Sequence, residues 1–158
     1  MHLKSNWKTY LFWIALSEGV GALSGFLSRE GMRLYTATAV QPPLSPPPIL
    51  FPIVWAILYA LMGIGAARVS LTEPSPERSR GLNLFIAQLI VNFFWSLIFF
   101  NLAAYGFALL WLGLLWVLAS WMTLTFYQSD PAAAWLQTPY LLWLTFAAYL
   151  NAATWVLN

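Results

Sequence analysis

Hydrophobic positions gather into five long runs, at residues 10–27, 51–69, 82–100, 107–126 and 134–157, separated by short polar or proline-bearing stretches. Each run approaches the roughly 20 residues that a helix needs to cross about 30 Å of hydrocarbon. A water-facing helix would carry a polar stripe recurring every three or four positions. These runs are apolar all round, so lipid is expected as their outer solvent. Strands of a membrane barrel would instead alternate in segments of about 10 residues, and a helix satisfies its own backbone where no water is present. The pattern predicts an all-α integral membrane protein, a bundle of five transmembrane helices forming one domain over residues 1–158.

The stretches between runs predict the connections. Residues 29–48 are polar and then proline-dense, and residues 73–80 form a charged turn containing Pro74 and Pro76. Residues 101–106 leave room only for a tight connection, which makes spans three and four antiparallel neighbours. Asp130 is the expected N-cap of the last helix, with Pro131 at its first position.

Charge is sparse, 7 Lys or Arg and 5 Asp or Glu, and Glu18 is the one such residue deep within a run. Lys4, Lys8, Arg68, Arg78 and Arg80 fall on the side of the N-terminus, and Arg29 and Arg33 on the other. In a cytoplasmic membrane this places the N-terminus inside and the C-terminus outside. Lys4 and Lys8 before an apolar stretch also resemble a signal peptide, but Glu18 and the lack of a small-residue cleavage site favour a retained span. A multi-pass chain fits a bacterial envelope or an organellar outer membrane equally well. The net charge of +2 is too small and too dispersed to imply a nucleic-acid partner.

There is no cysteine, and the single histidine is His2. Disulfides, thiolate nucleophiles, Cys/His metal clusters and intramembrane histidine ligands are excluded, so no catalytic residue and no metal site is expected. Aromatic residues are abundant instead, at 18% of the chain with 10 Trp. Trp7, Tyr10, Trp135 and Tyr140 fall where an interfacial aromatic belt is expected. Others share helical faces with polar residues. Phe51, Trp55, Tyr59 and Met62 form one face, behind a stiff proline-rich approach that turns helical near Pro52. Gln88, Asn92, Trp95 and Phe99 form a second, and Trp143, Ala147, Leu150 and Asn151 a third. Such stripes serve either as helix-packing surfaces or as ligand walls, and Gln88 and Asn92 can equally bond across helices. Ser17, Gly21 and Gly25 recur every four residues as a small-residue face for internal packing or dimerisation. Glu18 beside them is a functional candidate, with the leading expectation that it is protonated and bonded to a neighbouring helix.

These motifs resemble the translocator protein family, also called the tryptophan-rich sensory protein or peripheral-type benzodiazepine receptor family. The family's Pro-x-Trp-x-Pro-Pro loop running into Phe-Pro-x-x-Trp-x-x-x-Tyr is similar to residues 42–59. Its third-helix pattern resembles Gln88, Asn92, Trp95, Phe99 and Phe100, and its fifth-helix pattern resembles Pro139, Tyr140, Trp143, Ala147, Leu150 and Asn151. The chain departs from the family at Leu44, where the loop tryptophan is usual, and at Gln41, where lysine is usual. Ala152, Ala153 and Val156 replace the cholesterol-associated segment of animal members.

The resemblance implies a cavity beneath the first loop that binds porphyrins, such as protoporphyrin IX, and other flat apolar ligands, within a homodimer and with no required cofactor. It assigns the ligand walls to Trp55 and Trp143, with Asn92 and Trp95 deeper and Phe51, Tyr59, Gln88, Ala147 and Leu150 alongside. Arg29 or Arg33 is the expected partner of a propionate. The function so implied is a membrane receptor or sensor that transports or sequesters tetrapyrroles. A light- and oxygen-dependent porphyrin-degrading enzyme using the pocket tryptophans is one alternative. A secondary transporter is another, for which a single Glu18 and no evident inverted repeat supply little coupling machinery.

Overall fold

The computed structural model describes residues 3–158, so His2 lies outside the described residues. Five α-helices follow one another: α1 (Leu3–Thr38), α2 (Leu50–Ser70), α3 (Pro76–Ser96), α4 (Tyr105–Ser129) and α5 (Pro131–Leu157), with no strand among the described residues. All five are long and apolar enough to cross a membrane. They close into a ring in the order α1, α2, α5, α4, α3, which places α1 against α2, α3 against α4 and α4 against α5. Leu110, Leu124 and Leu142, each at least 70% exposed, belong to the apolar outer surface that lipid covers.

α2, α4 and α5 begin and end within three residues of the expected runs, whereas α3 starts at Pro76, inside the stretch read as a charged turn, and α1 extends well beyond its run. α1 runs past residue 27 to Thr38, so the first half of the stretch read as a loop is helical. Hydropathy falls at Arg29, Glu30 and Arg33, but those residues form helix readily, and the first proline is Pro42. A helix leaving hydrocarbon continues until something breaks it.

Lipid supplies little force to press apolar helices together, so close approach comes from small residues. A Cβ placed on Gly63 of α2 would lie 2.6 Å from Ile14 Cα of α1, and one on Gly65 would meet Gln137 and Ala133 of α5. On α1 the buried positions are Ser17, Ser24, Ser28 and Gly31. Ser24 donates or accepts at 2.6 Å with Ser96 of α3, and Ser28 donates to the same hydroxyl at 3.0 Å. Of the expected small-residue face, Gly21 packs against the Tyr59 ring, whereas a Cβ on Gly25 would meet nothing within 4 Å.

Backbone groups freed at irregular points are caught locally, as hydrocarbon demands. Pro139 inside α5 removes the donor that Trp135 C=O would accept, and Thr138 Oγ1 donates to that oxygen instead at 2.7 Å. α3 ends in a π turn at Leu97–Asn101, and Asn101 reaches across to donate to Leu27 C=O at 2.9 Å. Asp130 occupies the N-cap position of α5 but makes no side-chain cap. It accepts from Arg68 at 2.6 Å, tying the end of α2 to the start of α5.

Candidate ligand cavity beneath the first loop

The α1–α2 connection forms a roof. Ser45 donates through its backbone and hydroxyl to Pro42 C=O, and Leu44 takes φ 68°, a left-handed conformation that costs a leucine about 1–2 kcal/mol. The loop is pinned to the end of α5, where Tyr149 donates to Pro43 C=O at 2.7 Å and Asn158 exchanges two hydrogen bonds with the Val40 backbone.

Under this roof lies a cavity of about 590 Å³, within the roughly 300–1,000 Å³ typical of small-molecule sites. Gln41, Pro46 and Pro48 face it from the loop; Phe51, Trp55 and Tyr59 from α2; Asn92, Trp95 and Phe99 from α3; Trp143, Ala147, Leu150 and Asn151 from α5. The three aromatic faces read from sequence therefore meet around one space. α1 contributes Glu18, Gly21 and Gly25, and its extension past residue 27 adds Met32, Tyr35 and Thr36, which the loop expectation had removed from consideration.

The walls are built of interlocked rings. Trp55 stacks on Tyr59 at 5.4 Å and meets Trp143 edge-on at 6.4 Å. Phe51 packs against Trp143 at 5.8 Å, and Trp95 stacks on Phe99 at 5.1 Å. The Trp95 indole donates to Asn151 Oδ1 at 3.1 Å, and Asn151 donates to Tyr105 C=O at 2.8 Å, which fixes that ring. Among the described residues the indole nitrogens of Trp55 and Trp143 donate to no protein group, so both rings offer a face and a donor.

Beneath the cavity runs a buried hydrogen-bond chain. Tyr59 donates to Asn92 Oδ1 at 2.6 Å, Asn92 Nδ2 donates to the Tyr140 hydroxyl at 2.7 Å, and Tyr140 donates to Gln88 Oε1 at 2.7 Å. Tyr140 is 1% exposed, which overturns its assignment to the interfacial belt. α5 begins at Pro131, so Tyr140 lies more than two turns inside it. Its spacing of three, seven and eleven to Trp143, Ala147 and Asn151 was the signal that placed it on the inward face. Gln88 does not reach the cavity; its amide nitrogen points at Met62 Sδ, 3.9 Å away. Arg29 and Arg33 are outside the lining too, Arg33 paired with Glu30 at 2.9 Å and Arg29 lying over the Phe26 ring at 3.9 Å. Glu18 makes no bond to a neighbouring helix among the described residues, contrary to the leading expectation, and faces the cavity instead.

A five-helix membrane bundle enclosing an aromatic, ligand-sized cavity under its first loop is the class of protein that this geometry defines. Residues 13–156 match the model of the TspO/MBR family, and the chain belongs to that family. It is similar to the translocator protein of Bos taurus, with 36% identity over 141 residues that cover 85% of this chain and 83% of that protein. The tryptophan-rich protein TspO of Chlorobaculum tepidum is 35% identical over 92% of each chain. Protein CrtK of Rhodobacter capsulatus is 38% identical over 75% of this chain and 74% of its own length.

Proposed function

We propose that this chain is a membrane receptor that binds porphyrins and other flat apolar ligands in the cavity beneath its first loop, and so sequesters or passes on tetrapyrroles. The observation that carries the reading is the convergence of Phe51, Trp55, Trp95 and Trp143 on one space of about 590 Å³. A tetrapyrrole is a wide aromatic plate, and each ring that packs against it adds about 0.5–1.5 kcal/mol beyond area burial. Trp55 and Trp143 meet at right angles, so one offers a face where the other offers an edge.

The test is a titration of detergent-solubilised protein with protoporphyrin IX, read by quenching of tryptophan fluorescence against empty micelles. Trp143→Ala is expected to weaken binding by about tenfold or more, the equivalent of ~1.4 kcal/mol. Trp135→Ala, at a side chain 68% exposed on the outer surface, is expected to leave it unchanged. The Trp55→Ala/Trp143→Ala pair should abolish saturable binding. Equal effects at Trp135 and Trp143, or partitioning no different from empty micelles, would remove the tetrapyrrole reading.

A further inference from the structure

Glu18 is the one acidic or basic side chain among the residues that line the cavity. α1 climbs toward the loop and α2 descends from it, so Glu18, Tyr59 and Asn92 are the lining residues farthest from the roof. They form its floor. A carboxyl within a membrane span is costly unless something meets it. Among the described residues it makes neither an ion pair nor a hydrogen bond.

Three of the cavity's side-chain donors are already engaged, and the free indole N–H groups of Trp55 and Trp143 make no bond to it. Tyr59 donates to Asn92, Trp95 donates to Asn151, and Ser24 is held by Ser96 and Phe93 C=O. No Lys, Arg or His lines the cavity. The floor thus presents an acceptor that no protein donor meets.

We infer that Glu18 recognises a nitrogen-borne proton on the ligand, so that the cavity prefers flat aromatic molecules carrying a protonated nitrogen or an edge N–H to all-carbon rings of the same shape. The inference rests on the reading that flat ligands occupy this cavity. A cationic nitrogen and a carboxylate that enter low dielectric together neutralise each other, and a hydrogen bond between charged groups is roughly twice as strong as a neutral one. The same acid opposes a carboxylate. A porphyrin therefore binds with its propionate edge away from the floor, toward Gln41 and the loop.

The test uses the full chain in detergent and two fluorescent planar probes of similar shape, 9-aminoacridine, a cation at neutral pH, and neutral 9-methylanthracene. Wild-type protein is expected to bind the cation about tenfold more tightly. In E18Q and E18L that preference disappears, and saturable binding of 9-methylanthracene by both variants shows that the cavity is intact. Equal affinity for the two probes in the wild type overturns the inference without recourse to any variant. So does a preference that survives in both variants.

Protoporphyrin IX titrated into the same preparations separates the two readings. A Glu18-dependent preference for the cation with no porphyrin binding sinks the tetrapyrrole assignment and leaves this one standing. Normal porphyrin binding with no such preference does the reverse, and failure of all three molecules to bind sinks both.

Discussion

Gly63→Ala is expected to lower the melting transition of the detergent-solubilised protein markedly, while Gly113→Ala leaves it unchanged or raises it. An added Cβ at Gly63 would stand 2.6 Å from Ile14 Cα, 2.8 Å from Ile14 N and 2.8 Å from Trp13 C=O. All three are backbone atoms of α1, so no side chain can turn aside. Carbon atoms pack at about 3.5–4.0 Å, and relief requires α1 to move off α2 by roughly 1 Å. Overpacking of this kind costs about 1–3 kcal/mol or more. The same shift would loosen the contact of Gly21 with Tyr59 higher along the same pair of helices. At Gly113 a Cβ meets nothing within 4 Å, and alanine gains the ~1 kcal/mol of helix propensity that glycine lacks. The chain has no cysteine for a thiol-reactive dye, so intrinsic tryptophan fluorescence on heating is the readout. Coincident melting of the two variants would show that α1 and α2 are not held by this approach.

That contact marks the limit of what sequence discloses. The five spans were legible because the bilayer imposes one length and one polarity on every helix, and each expected run lies inside its helix, α3 taken with its π turn. The end of α1 was not, because Arg29, Glu30 and Arg33 change the solvent around a helix without ending it. The three aromatic faces were legible as helical spacing, and they do converge on one cavity. Which polar groups face ligand and which face one another was not legible. Gln88 and Asn92 lie one turn apart on the same face of α3, yet Gln88 bonds Tyr140 below the floor while Asn92 lies at the floor itself. Tyr140 reads as a belt residue by its chemistry and as a core residue by its register, and register decides. The close approaches at Gly63 and Gly65 depend on partners about 50 and 70 residues away, so no local pattern announces them.

Asn92→Leu is expected to destabilise the bundle by about 2–3 kcal/mol, and most of that cost is expected to vanish when Tyr59→Phe is added. Asn92 is the middle of the buried chain: it accepts from Tyr59 at 2.6 Å and donates to Tyr140 at 2.7 Å, joining α2, α3 and α5. Leucine has the same branched four-atom skeleton, with bulkier ends, and removes both bonds. The Tyr59 hydroxyl, in a residue 6% exposed, then loses the acceptor it has in the structure. A buried donor left alone costs about 1–3 kcal/mol, whereas removing both partners of a bond is nearly neutral. The second substitution therefore repairs part of the first. Tyr140 still donates to Gln88 in either variant and keeps its end of the chain in place. A double-mutant cycle on unfolding in detergent measures this coupling directly. If the two single costs simply add, Tyr59 and Asn92 contribute independently, and the polar floor is a set of separate contacts rather than a connected support for the cavity above it.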